Sequence, residues 1–318
     1  MRVLITGAAG FIGQILTRKL LENDNNELVL TDTVATFGLD SPDYQNRVKF
    51  IQADLITDAH ALLDQRLDSV VLLHGIMSSG AEADLELGYR VNVDATRTLL
   101  FGLAKKHPGV RVIYASSEAV YGTPVPKTGV TERDITTPEM SYGCQKLICE
   151  TLMNDLTRRG LINGFVLRLP TISVRPGKPT VAVTSFLSGI IREPMNGEKC
   201  ILPLSERSWR HWMCSPRTLV HNLDLALSLP RDALPPHRRA VNLPGFAVTI
   251  QDMLDALEAV GGKDKLDLVQ EQPIPALQPL LHSWADDFDN SLALSLGMKQ
   301  DTSFVQSVKD FRETMAPA

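Results

Sequence analysis

The sequence lacks several features that would point to particular classes of protein. No apolar run approaches the about 20 residues that a membrane span needs, and the chain enters an apolar strand pattern at once, without a signal peptide. The 32 lysines and arginines are outnumbered by 37 aspartates and glutamates, so the net charge of −5 gives no sign of binding to nucleic acid or to a membrane. We therefore expect a cytoplasmic protein with neither kind of partner.

Cysteine is also scarce, and no internal repeat or low-complexity segment is visible. The four cysteines, Cys144, Cys149, Cys200 and Cys214, have neither the spacing of metal ligands nor that of a redox motif. We interpret them as reduced thiols and expect no metal site. Hydrophobic residues make up 44% of the 318 residues, which is ordinary for a globular protein and enough for one large α/β domain or two small ones.

What the sequence does contain is a glycine-rich turn between a strand and a helix. Met1–Ile5 is an apolar run suited to a buried strand, and a helical pattern follows from Ile15. Between them, Gly7 permits a tight turn, Gly10 lets the backbone approach a pyrophosphate, and Gly13 lets the helix pack on the strand. This pattern predicts a site for the phosphates of a dinucleotide.

The start of the helix and the end of the next strand complete this prediction. Phe11 and Ile12 open the helix, whose N–H groups and positive dipole end attract phosphate. The next strand, Glu27–Thr31, ends at Asp32, whose carboxylate is placed to bond an adenosine ribose and would repel a 2′-phosphate. The glycine spacing alone also fits an ordinary strand-to-helix turn. With both strands and Asp32 it favours NAD as the cofactor.

Two further strand ends are candidates for the ligand crevice of a doubly wound sheet. Asp54 and Leu55 follow the predicted strand Val48–Gln52, and Asp54 either bonds an adenine amino group or caps the segment that follows. The predicted strand Leu67–Leu73 leads into a loop that begins His74-Gly75. We expect Leu73, His74 and Gly75 to pass beside the cofactor, although a histidine here is more often structural.

Polar residues beyond this loop are candidates for contacts with substrate or cofactor. Ser78 and Ser79 lie further out, toward substrate, or serve as turn residues. Asn92 lies in a predicted amphipathic helix, Leu85–Lys105, among neighbours that look buried. A buried amide needs partners, and a cofactor or substrate hydroxyl is one source.

A tyrosine and a lysine that share one helix face carry the predicted chemistry. Tyr142 and Lys146 are spaced i and i+4 on a helix that opens at Ser141. The phenol of a tyrosine has a pKa near 10. If Tyr142 is to act as a base at neutral pH, its pKa must fall by about 3 units. A fixed ammonium and a nicotinamide cation together can stabilise the phenolate to that extent. The predicted strand Val110–Ala115 runs into Ser116 and Ser117, and Ser117 is placed to hold the substrate oxygen. The bare Tyr-x-x-x-Lys pattern is common by chance, but here it follows a dinucleotide fingerprint.

These motifs together resemble the extended short-chain dehydrogenases/reductases, of the NAD-dependent epimerase/dehydratase family. Members carry G-x-x-G-x-x-G for NAD, a catalytic Y-x-x-x-K, and a Ser or Thr four residues before the Tyr of V-Y-G. Val120-Tyr121-Gly122 makes that residue Ser117. The family's D-x-V-x-H-L-A-A matches only loosely, with Leu72 at its histidine position, so no family role passes to the His74 side chain.

The resemblance extends to a subgroup that oxidises four-carbon sugar acids, through segments such as Leu73–Asp84 and Arg168–Pro179. It implies an α/β Rossmann fold with a doubly wound parallel sheet and a smaller C-terminal substrate-binding part. It also implies oxidation of a sugar acid, most simply D-erythronate to its 2-oxo acid, with NAD. Pro170 and Ile172 would then lie by the nicotinamide, and Thr171 near substrate. Members commonly pair through two helices per subunit, so a homodimer is expected.

The C-terminal part is predicted to supply the substrate pocket. Prolines at 176, 179, 194 and 203 favour an irregular segment after Pro170. A carboxylate substrate needs a planar cation, and Arg175 and Arg217 are the first candidates, although each single arginine is more often a surface or structural ion pair. Trp209 and Trp212 wall the pocket or pack in the core.

The predicted domains follow from this division. An NAD-binding domain spans residues 1–169 with a returning segment at about 213–243, and a smaller domain comprises 170–212 and 244–318. Helices are predicted at Leu219–Leu229, at Thr249–Val260 with Thr249 as its cap, and at Phe288–Leu296. Two other functions stay open: a nucleotide-sugar epimerase or dehydratase with tightly held NAD, and a non-catalytic NAD-sensing module.

Overall fold

The structure is a computed structural model, and it describes residues 1–35, 46–124, 126, 129–178 and 183–315. These residues form two compact units. The first unit comprises Met1–Val120, Pro138–Leu169 and Val220–Val241, and the second comprises Tyr121–Thr137, Pro170–Leu219 and Asn242–Ala318, each within the described residues. Residues 121–137 therefore belong to the second unit, whereas the sequence placed them in the NAD-binding domain.

The elements are numbered in chain order. The strands are β1 Arg2–Thr6, β2 Glu27–Asp32, β3 Val48–Gln52, β4 Ser69–Leu72, β5 Arg111–Ser117, β6 Asn163–Leu169, β7 Thr171–Ile172, β8 Cys200–Leu202, β9 Arg210–Cys214, β10 Ala240–Asn242, β11 Phe246–Thr249 and β12 Val269–Glu271. The α-helices are α1 Phe11–Leu21, α2 Ala59–Leu63, α3 Ser78–Ala83, α4 Leu85–Tyr89, α5 Ala95–Lys106, α6 Ser141–Arg158, α7 Ser185–Met195, α8 Pro216–Ser228, α9 Ile250–Gly261, α10 Lys263–Leu266, α11 Gln278–Ser283, α12 Ser291–Ser295 and α13 Phe304–Thr314.

The first unit is built on a seven-stranded sheet in the order β3-β2-β1-β4-β5-β6-β10. The neighbouring pairs from β3 to β6 are all parallel. This is the doubly wound order, in which the chain reverses direction between β1 and β4 and leaves a crevice at the carboxyl ends of those strands. The predicted Rossmann fold is confirmed.

The central strands of the sheet are buried on both faces, which is why they read as apolar runs rather than as alternating patterns. Every residue of β4 is buried, and so are the last four of β1. One core cluster combines Leu4 and Val70 of the sheet with Leu99 of α5 and Met153 of α6. The core therefore fixes the ends of β1, β4 and β5, from which the candidate site residues extend.

Two elements of the first unit differ in detail from the prediction. The predicted helix Leu85–Lys105 is present as α4 and α5, but a π-helical turn, Arg90–Asp94, interrupts it and contains Asn92. The strand predicted at Leu67–Leu73 is shorter, at Ser69–Leu72, so Leu73 already belongs to the loop. Periodicity gives no signal for a single extra residue in a helical turn.

The second unit contains the sheets β11-β9-β7 and β12-β8 around its own core. The segment that we predicted to be irregular contains the 11-residue helix α7 and two strands, so that prediction is wrong. Leu187, Ile190 and Ile191 form a buried helical stripe. Pro194 has no N–H to bond the carbonyl four residues earlier, but α7 ends only one residue later, at Met195. Pro179 lies outside the described residues.

Among the other predictions for the second unit, the cap of α9 is confirmed and the extent of one helix is wrong. Thr249 caps α9 in a reciprocal capping box with Asp252, as predicted. The helix predicted at Phe288–Leu296 is wrong in extent, because only Ser291–Ser295 is helical and Phe288 instead pairs with Val130 in a β-bridge. Trp209 and Trp212 are both buried, which agrees with core packing. Among the helices of the described residues, none combines the length and the apolar character of a membrane span.

Candidate active site

The glycine-rich turn closes tightly on the loop that follows β4. Gly7 has a φ of +67°, and a β-carbon there would lie 2.8 Å from the backbone nitrogen of His74. At Gly13, a β-carbon would lie 2.4 Å from the carbonyl oxygen of Gly7. Any side chain at these two positions would displace backbone. The turn can therefore keep its shape only with glycine.

The residues of this turn fit a dinucleotide. Gly10 precedes α1 and supplies no side-chain cap, so the N–H groups of Phe11, Ile12 and Gly13 in the first helical turn suit phosphate oxygens. The Asp32 carboxylate accepts hydrogen bonds from the backbone N–H groups of Ala9, at 3.0 Å, and Thr33, at 2.7 Å. It is partly exposed and retains lone pairs, so it can also accept a ribose hydroxyl.

His74 is held by side chains of the first unit. Its Nδ1 lies 2.7 Å from the hydroxyl of Thr6, and its Nε2 lies 3.0 Å from the hydroxyl of Thr96. Burial, and then the positive charge of Lys146, lowers the pKa of His74 to about 3. The ring is therefore neutral and structural, while Leu73 and His74 direct their backbone N–H groups to Thr6 Oγ1 at the end of β1.

The Asn92 amide is engaged by protein groups. Its Oδ1 accepts from the N–H of Ile76 at 2.7 Å, and its Nδ2 donates to the carbonyl of Ile76 at 3.0 Å and to Gln145 Oε1 at 2.6 Å. A β-carbon on Gly75 would lie 2.9 Å from Asn92 Oδ1. Asn92 thus fixes the loop after β4 against α6, and its contact with a cofactor stays a prediction.

The remaining predicted residues of the first unit have local roles in the structure. Asp54 Oδ1 accepts from the N–H of Ile56 in the turn before α2, whose N-cap residue is Asp58, and Leu55 packs in the core. Ser78 and Ser79 open the short helix α3 and are partly buried. Their contacts with cofactor or substrate stay predictions.

Lys146 lies between two phenol rings. Its Nζ donates to the carbonyl of Ala115 on β5 at 2.8 Å and lies 5.5 Å from the ring centroid of Tyr142 and 4.9 Å from that of Tyr114. Lys146 is only 4% exposed, and it forms no ion pair with any described residue. The structure thus brings Tyr142 and Lys146 together over the carboxyl end of β5.

Ser117 lies at that same strand end. It is the last residue of β5, and its hydroxyl accepts from the N–H of Ala119. Gly143, beside Tyr142, packs so closely on Ala119 that a β-carbon would lie 2.1 Å from the Ala119 carbonyl oxygen. The first turn of α6 therefore meets the turn that follows Ser117. Glu118 in this turn has a pKa raised by burial well above its ordinary value.

Burial acts in opposite directions on the two groups of the Tyr/Lys pair. It raises the pKa of Tyr142 to about 12 and lowers the pKa of Lys146 to about 8. Each change disfavours the charged form of the group. A phenolate here therefore needs a charged Lys146 and further positive charge from a bound group.

In the second unit, Thr171 is paired with a histidine that sequence analysis missed. The Thr171 hydroxyl lies 2.7 Å from Nε2 of His211, whose ring stacks on Trp209 with 5.5 Å between ring centroids. Burial lowers the pKa of His211 to about 4. Pro170 and Ile172, on either side of Thr171, are buried. Nothing in the sequence connects Thr171 with His211, because β7 and β9 become neighbours only in the fold.

The two candidate arginines differ sharply. The Arg217 side chain is 72% exposed and pairs with Asp310 at 3.2 Å, which is an ordinary surface ion pair. Arg175 is partly buried, its backbone N–H donates to Ser188, and no described carboxylate lies within ion-pair distance of its guanidinium. Burial and the neighbouring Arg192 lower the pKa of Arg175. Arg175 is therefore the candidate with an unsatisfied positive charge.

Sequence analysis also missed Glu150 and Arg168, which form a buried ion pair at 2.6 Å in the first unit. A signal was present, because Tyr142, Lys146 and Glu150 are spaced i, i+4 and i+8 on α6.

Comparisons with known proteins agree with this geometry. The family model described as "NAD dependent epimerase/dehydratase family" matches residues 3–237. The chain is 40% identical to D-erythronate dehydrogenase of Haemophilus influenzae, over 98% of this chain and 99% of that protein. It is 39% identical to D-erythronate dehydrogenase of Cupriavidus necator, over 98% of each.

A solved structure, described as the nucleoside-diphosphate-sugar epimerase from Agrobacterium tumefaciens, matches with a TM-score of 0.92 and 34% identity, over 98% of this chain and 94% of that one. The family description names NAD, as the glycine turn and Asp32 predicted, and the prediction of NAD as cofactor is confirmed at family level. The chain belongs to the NAD-dependent epimerase/dehydratase family.

Proposed function

We propose that the protein is an NAD-dependent dehydrogenase that oxidises a short-chain sugar acid, with D-erythronate converted to its 2-oxo acid, 2-dehydro-D-erythronate. The observation that carries this proposal is the buried Tyr142–Lys146 pair over the end of β5, in a fold whose glycine turn fits a dinucleotide. Two relatives that match over nearly their full length are named D-erythronate dehydrogenase, which supports the substrate.

Each residue of the site has one role in this reaction. Ser117 donates a hydrogen bond to the substrate hydroxyl oxygen, and Tyr142, as phenolate, takes the hydroxyl proton. Lys146, charged below its pKa of about 8, stabilises that phenolate from the same helix face. When bound, NAD+ would accept the hydride from the carbinol carbon, and its positive ring would favour the phenolate further.

The substrate carboxylate needs a cation, and Arg175 is the better of the two candidates. Its guanidinium is partly buried and has no carboxylate partner among the described residues, so attraction to an incoming carboxylate would offset the cost of its desolvation. Arg217 already has Asp310 as a partner. Replacing Arg175 with Lys should raise KM for the sugar acid more than it lowers kcat, because a bidentate contact becomes a single one.

The test is formation of NADH by the purified protein with NAD+ and a panel of sugar acids that includes D-erythronate and L-threonate. We expect NADH with at least one four-carbon acid, in an amount equal to the substrate consumed. Absence of NADH with every four-carbon sugar acid would remove this proposal.

A nucleotide-sugar epimerase is the second candidate, because a solved structure with 34% identity is described as a nucleoside-diphosphate-sugar epimerase. Such an enzyme regenerates its NAD in each turnover. Conversion of a UDP-sugar to its epimer without net NADH would favour this candidate over a dehydrogenase.

We also propose that the protein is a homodimer in the cytoplasm. In the first unit, Phe101 on α5 is 53% exposed and Ile148 on α6 is 43% exposed, and Leu85 and Leu87 of α4 are exposed as well. Large exposed apolar side chains on adjacent helices mark a surface for another protein. A second copy of this chain is the simplest occupant. The cytoplasmic location rests on the sequence alone.

A further inference from the structure

A buried acidic residue lies one helical turn beyond Lys146. Glu150 is on α6, four residues after Lys146 and eight after Tyr142, so the three side chains follow one face of the helix. Glu150 is 2% exposed. An ionised carboxylate at such a position requires partners that hold it.

Two neighbouring strands supply those partners. Arg168 on β6 contacts both oxygens of Glu150, with Nε at 3.0 and 3.2 Å and Nη2 at 2.6 Å. On β5, the Ser116 hydroxyl donates to Glu150 Oε1. Ser116 and Arg168 are register partners in the parallel pair, so the sheet itself fixes the orientation of the carboxylate.

The same residues adjoin the catalytic groups. Ser116 precedes Ser117, and Ala115, before it, accepts the hydrogen bond from Lys146 Nζ. The titratable groups that face Lys146 are Tyr142, Cys149 and Glu150 on α6, Tyr114 on β5 and His74 after β4. Among these groups, Glu150 is the carboxylate. Lys146 is therefore buried with one nearby negative charge, fixed by Arg168 from the far side.

We propose that Glu150 is a positioning residue for the proposed dehydrogenase reaction: its carboxylate, fixed between Ser116 and Arg168, keeps the buried Lys146 ammonium charged and in place behind Tyr142. Burial of Lys146 favours loss of its proton, and the electrostatic effect of Glu150 opposes this loss. Arg168 holds the Glu150 carboxylate in place through contacts with both of its oxygens. The expected effect of Glu150 on the pH profile of catalysis rests on the proposed function. Its expected effect on the titration of Lys146 does not.

The variant Glu150→Gln tests this role, because it keeps the shape of the side chain and removes its charge. We expect Lys146 to lose its proton at lower pH and the Tyr142 phenolate to lose its support. The acidic limb of the pH profile of kcat/KM should move upward by about one pH unit, with activity at neutral pH lowered about tenfold and NAD affinity little changed. Asp155→Asn is the control: it also removes a charge from α6, but from an exposed ion pair.

A double variant separates electrostatics from packing. Glu150→Gln leaves the Arg168 charge buried without its partner and can destabilise the protein. Glu150→Gln with Arg168→Met removes both charges and relieves that cost. If Glu150 only pairs with Arg168, the double variant should recover the wild-type pH profile. If Glu150 acts on Lys146, the profile should stay displaced although the unfolding temperature recovers.

The Lys146 titration can also be followed without turnover. In protein labelled with carbon-13 at the lysine side-chain terminus, Lys146→Met identifies the NMR signal of Lys146. We expect that signal to titrate at lower pH in Glu150→Gln than in the wild type, and an unchanged titration would overturn the inference. If the titration moves but no sugar acid yields NADH, the proposed function fails and the role of Glu150 in keeping Lys146 charged stands.

Discussion

At the scale of single residues, burial changes the pKa values of the acids and bases in the candidate site. The sequence identified Tyr142, Lys146 and Ser117, because motif spacing is a local property. It could not show that burial raises the pKa of Tyr142 to about 12, since only the folded chain buries the phenol. The site is therefore arranged so that positive charge from Lys146 and a bound cofactor must offset desolvation before the phenol can act as a base.

Removal of the phenol hydroxyl should abolish chemistry and spare binding. For Tyr142→Phe we expect kcat to fall about 10³-fold, within the range for loss of a general base, while the Kd for NAD+ stays within about threefold. Steady-state kinetics measure kcat, and titration of NAD+ followed by tryptophan fluorescence measures the Kd. A variant that retained wild-type kcat would exclude Tyr142 as the base.

Cofactor choice should depend on the charge of Asp32. Asp32→Asn can still accept the N–H of Ala9 but no longer repels a 2′-phosphate. The ratio of kcat/KM for NAD+ to that for NADP+ should fall about tenfold or more, because like-charge contacts in a binding site are strongly unfavourable. An unchanged ratio, measured with the same sugar acid, would show that another group discriminates.

At the scale of elements, the glycine turn has little tolerance. In Gly13→Ala, the new methyl group would lie 2.4 Å from the Gly7 carbonyl oxygen, so α1 must move away from β1. We expect a loss of about 2 kcal/mol or more in unfolding free energy, as for overpacking in a core, together with weaker NAD binding. Urea denaturation measures the first effect.

Gly197→Ala is the matched control for that variant. Unlike Gly13, Gly197 has a positive φ, of +81°, but nothing lies within 4 Å of its added β-carbon. It should cost only the backbone strain of about 1 kcal/mol and leave NAD binding intact. Equal effects of the two substitutions would contradict the close packing of α1 on the turn.

The elements that could be predicted are those whose sequence signals are local. The sheet strands are short apolar runs with polar boundaries, so β1 to β3 were found almost to the residue. Helix α7 was missed because the four prolines of the segment, of which only Pro194 lies in α7, outweighed the stripe of Leu187, Ile190 and Ile191. The members of the Thr171–His211 pair lie 40 residues apart, and those of the Glu150–Arg168 pair lie 18 residues apart. The pairing of β7 with β9 brings the first two together, and the packing of α6 on β6 brings the second two together.

At the scale of the whole molecule, acid should destabilise the protein through its buried histidines. The pKa of His74 is about 3 and that of His211 about 4, both below the ordinary value of 6.5. Between pH 6.5 and about 4, the unfolded chain therefore binds more protons than the folded protein. The free energy of unfolding falls as the pH falls through that window. Each histidine should contribute up to about 1.4 kcal/mol per pH unit.

Unfolding experiments from pH 7 to pH 4 measure this slope. His211→Asn can retain a hydrogen bond to Thr171 without the buried titration, and it should flatten the pH dependence below 6.5. His60→Asn, at an exposed histidine of α2, should leave it unchanged. If wild type, His211→Asn and His60→Asn all showed the same slope, the buried His211 would not be a cause of the pH dependence.

Association should depend on the exposed apolar face of α5 and α6. Phe101→Glu should convert the proposed dimer to monomer, because burial of a charge opposes the contact. Ile135→Glu changes an apolar side chain that is more exposed and lies in the second unit, so it should leave the mass unchanged. Light scattering after size exclusion measures the mass, and a monomeric wild-type protein would remove the proposal.

The most direct test of the central claim is the balance of NADH formed against D-erythronate consumed, in wild type and in Tyr142→Phe. The account predicts one NADH for each sugar acid oxidised by the wild type, and almost none from the variant although it still binds NAD+. If the wild type retained NAD but formed no NADH from D-erythronate or any other four-carbon sugar acid, the dehydrogenase assignment would be contradicted and the epimerase would become the leading candidate.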